Sequence, residues 1–427
     1  MVPQEVANIL NQAGVFIKHW WWVPLPFLLY KPFLNLWLFW RRSEYRKEQN
    51  FIMLEIRVPK DAERPLRAMD NILSGLWSLY EAPNWKEKWL EGVFILPLSF
   101  EIAGLGGEPH FFIRTPDFYR NTVESHIYSQ FPEAEIEKVP DYTDFVPDDI
   151  PNEEWDMWGC DFELMKDTPY PIKTYTKFFE ERPGAEKEEK VDPMALILEG
   201  MGKMTKNEQL WIQIVATPVT DGETGWISEG EELRDELAGR STSEGGGGIS
   251  IVKEAINVLL TGTPPNVEVE SEEPRQISPE MELTSGEKKK ISAIEDKIGQ
   301  YGYKSFIRTI YLAKKDDFFK PHVTIPIAFF NQFATSDLNS FKPWGKTITK
   351  VNYLFTERRG YLKKRKMFER YKNRLSPLYP QEGGTYTLNT EELATIFHFP
   401  GEEAAPAPFI ERIEARKGEP PRGLPTE

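Results

Sequence analysis

The stretch FIMLEIRVPKDAERPLRAMDNILSGLWSLY, residues 51–80, carries a change of hydrophobic period that sets the fold. Phe51 to Val58 is an apolar run of strand length, which Pro59 to Arg64 breaks. Leu66, Met69, Ile72, Leu73, Leu76, Leu79 and Tyr80 then recur at spacings of three and four, a helix with one buried stripe that stops at Pro83. Val93 to Ala103 reads as a strand, Gly104, Gly106 and Gly107 as a turn, and His110 to Arg114 as the partner strand. A second helix starts after Thr115 with Pro116 in its first turn and carries Tyr119, Val123, Ile127 and Tyr128. It yields to Pro132, and Ala134 to Val139 closes the unit. The order β-α-β-β-α-β predicts a split βαβ, ferredoxin-like unit over 50–140, with both helices on one face of an antiparallel sheet.

A related order returns over 155–356. Trp158 to Leu164 reads as a strand and Pro171 to Glu180 as a connection. Asp192 caps a helix with Pro193 at its first position, and Leu210 to Thr217 is a strand. Lys304 to Ala313 (strand), His322 to Phe333 (helix) and Thr347 to Phe355 (strand) complete it. An insertion at about 218–300 separates the two parts. It holds helices at Glu231 to Ala238, Ile249 to Leu260 and Gly286 to Gly299, a glycine-rich loop Ser241 to Gly248, and an acidic, apolar-poor stretch Thr263 to Pro279 that is expected to be mobile. The fold class is therefore α+β, with two ferredoxin-like units.

Before residue 50 the chain reads differently. Residues 1–19 form a weakly amphipathic lead-in, and Trp20 to Trp40 is an apolar run of 21 residues interrupted by Lys31 and Asn35. That length permits a membrane span. Trp20, Trp21 and Trp22 at one end and Trp37 and Trp40 at the other suit headgroup depth, while Phe27, Leu28 and Leu29 suit the apolar interior. Arg41 and Arg42 open a basic collar that places the following chain on the cytoplasmic side of an inner membrane. Pro24, Pro26 and Pro32 leave a kinked span, a re-entrant hairpin or an interfacial segment as alternatives. Residues 1–49 are accordingly expected to be the anchor and collar.

Residues 357–427 form a last region, a basic helix with an extended tail. Glu357 to Arg374 holds nine cations in eighteen residues, among them Arg358, Arg359, Lys363, Lys364, Arg365, Lys366 and Arg370. These could meet phosphate, anionic lipid or an acidic partner, or simply be solvated around a buried face of Tyr361, Leu362, Phe368, Tyr371 and Leu375. Leu388 to Phe399 reads as a helix capped by Asn389 or Thr390, with Glu391 and Glu392 in its first turn, ending at Pro400 and Gly401.

Composition narrows the function classes. A net charge of −15 argues against nucleic-acid binding by the whole surface, and a hydrophobic content of 40% is enough for real cores. The single Cys160 excludes an internal disulfide and reads as a small apolar strand residue. The five histidines lack metal-ligand spacing. Gly245 to Gly248 lacks the lysine of a phosphate-binding loop, and no HExxH, G-x-S-x-G or CxxC occurs. No catalytic residue, cofactor or metal is expected.

Three stretches resemble a known family. DPMALILEGMGKMTKNEQLWIQIVATP (192–218), FFNQFATSDLNSFKP (329–343) and LNTEELATIFHFPG (388–401) are similar to the membrane-proximal region of type IV secretion and conjugative DNA-transfer ATPases of the HerA/FtsK-like class. The last stretch resembles the segment that immediately precedes their motor domain. The resemblance implies a non-enzymatic, membrane-anchored platform or accessory subunit on the cytoplasmic face of the inner membrane. Its partners would be that membrane, a separately encoded P-loop ATPase and further copies of itself. The alternative from a different class is a nucleic-acid-binding module, in which the 357–374 helix and the strand aromatics Phe306 and Tyr311 grip DNA.

Overall fold

The computed structural model describes residues 18–19, 23–58, 65–180, 189–190, 192–240 and 283–401. Trp20, Trp21, Trp22, the lead-in before Lys18, the glycine-rich loop, the expected helix Ile249 to Leu260, the acidic stretch and the chain after Gly401 lie outside the described residues. The chain divides into two compact units, Met1–Phe51 with Tyr80–Leu96, and Ile52–Leu79 with Pro97–Glu427.

The smaller unit is built on helix α1, Pro24–Glu48, with a short π-helix at Glu87–Glu91. Trp37, Arg41 and Tyr45, four residues apart, share one face and meet that second segment. Trp37 Nε1 donates to the Trp89 carbonyl (2.7 Å), Arg41 Nε to that of Leu90 (2.6 Å), and the Tyr45 ring meets Phe94 edge-on at 5.8 Å. Pro32 lies inside the helix.

This helix corrects the expected membrane anchor. Among the described residues no helix is long and apolar enough to cross a membrane. Much of the apparent hydrophobicity of 20–40 is tryptophan, tyrosine and proline, whose transfer into hydrocarbon gains little, and Lys31 and Asn35 interrupt the rest. Part of the collar is also engaged within the protein, since Arg41 is hydrogen-bonded as above. The membrane segment in the expected fold class, and the inner-membrane location drawn from it, are both withdrawn.

The larger unit begins with β1 (Phe51–Arg57), α2 (Pro65–Leu76), β2 (Leu98–Leu105), β3 (Glu108–Pro116), α3 (Arg120–Gln130) and β4 (Glu135–Val139). It continues with β5 (Trp155–Leu164), α4 (Met194–Gly202), β6 (Glu208–Val219), α5 (Trp226–Leu237), α6 (Ser285–Ile298), β7 (Gly302–Lys314), α7 (Thr324–Asn331) and β8 (Phe341–Pro343). Then come α8 (Thr356–Lys372), β9 (Tyr386–Asn389) and α9 (Thr390–Ile396). These nine strands form one sheet in the order β8-β5-β7-β6-β2-β3-β1-β4, with β9 added to β7, and Phe179–Glu180 pairs with Glu189–Lys190 in a separate two-stranded ribbon. Each half has the ferredoxin-like order, β4-β1-β3-β2 and β8-β5-β7-β6. The halves are not separate units, because β2 and β6 pair antiparallel from Leu98↔Ala216 to Leu105↔Gln209. Two edge strands that would each expose unpaired amides satisfy one another.

The sheet has two unlike faces. On one, α2, α3, α4, α7 and α9 cover alternate residues such as Leu54, Phe100, Ile102, Ile212, Ile214 and Ile307. The other carries Met53, Phe112, Met157, Trp211, Ile310 and Leu312 beneath α8 and the turn at Tyr142–Phe145. Gly106 and Gly107, at φ 63° and 95°, make the tight β2–β3 turn where a side chain would be strained. In the second half the corresponding connection is the insertion, where α5 and α6 pack with Gly230 against Ile298.

Two further expectations change. The segment Thr347 to Phe355 is not a strand. Its threonines instead cap the outer edge of β5, with Gly159 N donating to Thr349 Oγ1 (3.0 Å) and Asp161 N to Thr347 Oγ1 (3.1 Å). Up to Gly401 the tail is not extended either, since Leu388, Leu393, Ile396, Phe397 and Phe399 are core residues. Phe397 meets Phe100 and Phe399 meets Phe131, at 5.3 and 5.5 Å.

Candidate interaction site

The expected anchor residues of α1 divide by depth. Phe27, Leu28 and Leu29 are exposed at 81, 73 and 52%, and Tyr30, Phe33, Leu36, Phe39 and Trp40 are exposed with them. Trp37 is held by Trp89 as above, and its ring lies 5.4 Å from that of Trp40, which Arg41 overhangs. The N-terminal half of α1 is thus a rod of large apolar side chains with no cover among the described residues.

The cations of 357–374 do not form one face. Met367, Phe368 and Tyr371 bury against the sheet, and this rotation turns several charges inward with them. Lys364 pairs with Asp156 (2.5 Å), Lys363 donates to the Ile348 carbonyl (3.1 Å), and Arg370 to that of Tyr379 (2.7 Å). Lys372 meets Asp144 and Asp148 at 2.8 and 2.6 Å. Arg365 is partly covered over Tyr361, leaving Arg358, Arg359 and Lys366 exposed. Phe306 and Tyr311, expected to stack on bases, are buried at 5 and 0% exposure.

Past α8 the backbone turns left-handed at Arg374 (φ 52°) and folds its guanidinium back under the helix. Nε and Nη2 each reach an oxygen of the fully buried Glu101 at 2.9 Å, and Nη1 reaches Asp141 at 2.5 Å. Ser99, Gln213 and Tyr142 also donate to Glu101, at 2.5, 3.2 and 2.6 Å. Burial opposes the charge of Arg374, but the Glu101 and Asp141 carboxylates hold the guanidinium well above its usual range. Burial likewise opposes the charge of Asp141, yet Arg374 draws its carboxyl below the usual value. Burial and Glu101 push the Tyr142 hydroxyl up. A second ion pair, Arg308 with Asp161 at 2.7 Å, is fully buried in the same face. The Arg374–Glu101–Asp141 group joins the sheet to its cover, while Arg308 and Asp161 pair across adjacent strands and leave Arg308 Nη1 and Nη2 and Asp161 Oδ2 buried without a hydrogen bond.

A cleft of about 690 Å³ lies elsewhere in the larger unit, lined by Asp70, Trp77, Trp226, Tyr301 and Thr390. Trp77 and Tyr301 stack there at 4.5 Å, and burial raises the Asp70 carboxyl. The unpartnered polar atoms at this cleft, Asp70 Oδ1 and Trp226 Nε1, are themselves occluded. Cys160 is buried in β5, where desolvation pushes its thiol well up, so it is poorly reactive. Among the described residues no cluster of three His, Cys, Asp or Glu could hold a metal ion.

Two surface features escaped sequence reasoning. Tyr353, Leu354 and Phe355 protrude at 55, 76 and 78% exposure, with Phe355 in the left-handed region at φ 56°. Arg359 lies 4.2 Å over the Tyr353 ring, and Lys350 and Arg358 are exposed beside it. Their alternation suggested a strand, but the threonines before them bond to the outer edge of β5 instead of pairing as a strand. The second feature is a cleft of about 590 Å³ lined by Asp167, Glu229, Glu232, Leu233, Glu236 and Trp344, with Glu163 and Lys166 at its rim. The helical spacing of Glu229, Glu232 and Glu236 was a signal, but their cleft depends on β5 and the 384–386 turn.

Fold and surfaces together define an α+β protein of two fused ferredoxin-like halves. The chain belongs to the family described as Domain of unknown function (DUF8128), whose profile matches residues 43–404. No curated protein matches the chain.

Proposed function

We propose that this chain is a non-enzymatic assembly module, an accessory subunit that docks on the P-loop ATPase of a type IV secretion or conjugative DNA-transfer machine. The observation that carries the docking role is the uncovered apolar half of α1, where Phe27, Leu28, Phe33 and Leu36 are 60 to 81% exposed. A contiguous apolar surface of this kind is a signature of a protein interface. The buried charged groups support the reading from the other side, because Glu101, Arg374, Arg308 and Asp161 serve packing instead of opening onto a cleft. The identity of the partner rests on the resemblance of 192–218, 329–343 and 388–401. DNA contact through α8 is the weaker reading, since five of the nine cations of 357–374 are turned onto the protein's own carboxylates and carbonyls.

Affinity purification of the full chain from its native host tests the proposal. A P-loop ATPase is expected with the unaltered protein and at least tenfold less with a variant carrying Phe27, Leu28, Phe33 and Leu36→Ser. Recovery of no such ATPase, or equal recovery with the variant, rejects this function.

A further inference from the structure

The geometry points to head-to-tail self-association, in which the basic aromatic knob Lys350 to Arg359 of one copy enters the acidic cleft on α5 of the next. The inference is independent of the α1 interface. Tyr353, Leu354 and Phe355 present three large side chains to solvent at a turn where Phe355 sits in strained backbone. Three cations surround them. Arg359 is fixed by stacking on Tyr353 and by donating to its hydroxyl at 3.0 Å, while Lys350 and Arg358 make no ion pair among the described residues. Glu357 lies beside them, and Lys350 lines a cleft that also holds Asp149, Glu153 and Asp156. In a protein of net charge −15 such a knob is out of keeping with the rest of the surface.

The cleft has the complementary character. Asp167, Glu229, Glu232 and Glu236 are exposed and form no ion pair among the described residues. Cations around the cleft are engaged: Arg234 on α5 pairs with Asp235 (2.9 Å), Lys166 donates to the Asp337 carbonyl (2.8 Å), Lys342 pairs with Glu163 (3.5 Å), and Lys346 lies over Trp344. Leu233 and Trp344 supply an apolar floor for an aromatic ring. Like charges crowded together repel, and a cationic knob relieves that repulsion while burying its rings. Within one chain the knob stays exposed, so the two surfaces satisfy each other only between copies. Different patches meeting in this way make a heterologous contact, which propagates into a ring or a filament.

Sedimentation velocity on full-length protein tests this in the background of the α1 serine substitutions, so that the apolar helix cannot contribute. The parent is expected to self-associate at about 50 mM salt, with an association constant at least tenfold lower at about 500 mM. R358E/R359E and E229R/E232R should each be monomeric, with unchanged circular dichroism. An equimolar mixture of the two should co-associate and grow as alternating copies, because the unaltered knob fits the unaltered cleft and the acidic knob fits the basic one. Combining all four substitutions in one chain should restore self-association with the charges exchanged. A monomeric parent at low salt, association that persists in either variant, or a mixture that does not pair would each overturn the inference.

Discussion

The two faces of the single sheet solve the same problem by different chemistry. At the β2–β6 junction, Ile212 and its partner Ile102 enter an apolar layer under the helices, while the next pair, Gln213 and Glu101, enters a charged one under α8. The apolar face is held by area and packing, which tolerate small losses. The charged face leans on donors and acceptors matched around Glu101 and Arg374, where one missing partner leaves a desolvated charge, although Arg308 Nη1 and Nη2 and Asp161 Oδ2 on it stay buried without hydrogen bonds. Robustness and specificity are thus divided between faces of the same strands.

The largest effect should come from breaking the match. Arg374→Met strips Glu101 of its only buried cation and should cost about 3–5 kcal/mol in urea unfolding. A loss below about 1 kcal/mol would mean that the charged face is as tolerant as the other. The same face should carry the pH response. Because the folded Asp141 carboxyl lies below its usual value, its contribution is full above about pH 4 and is lost as the pH falls through the folded pKa. Asp141→Asn should therefore flatten the acid limb of the unfolding midpoint against pH, and an unchanged limb would assign it elsewhere. On the apolar face, Ile212→Val should cost only about 1 kcal/mol. The smallest effect should be Lys364→Met at the half-exposed pair with Asp156, below about 1 kcal/mol.

Legibility in the sequence followed the range of the interactions. The β-α-β-β-α-β order of 51–139 could be read because period and proline breaks are local properties. The Asn389 cap was readable too, and the capping box with Glu392 is present. What Glu392 does beyond capping was not readable: it holds the fully buried Lys297, 95 residues away, at 3.0 Å. The basic run at 357–374 showed its charge but not its partners. The apolar run at 20–40 failed for a different reason, since counting apolar letters gave tryptophan, tyrosine and proline the same weight as leucine.

The sequence by itself determined the elements of the first half, the longer strands of the second, the caps, the turn glycines and the amount of charge, because these depend on neighbours within a few residues. The short strands Phe341–Pro343 and Tyr386–Asn389 were not readable, and 347–355 was misread as one. Tertiary structure alone decided that β2 and β6 join the halves into one sheet, that the tail returns into the core, and that some cations of α8 are internal while others face out. Those outcomes rest on contacts between residues tens to hundreds of positions apart. No local pattern encodes which edge finds which edge, or which carboxylate receives which guanidinium.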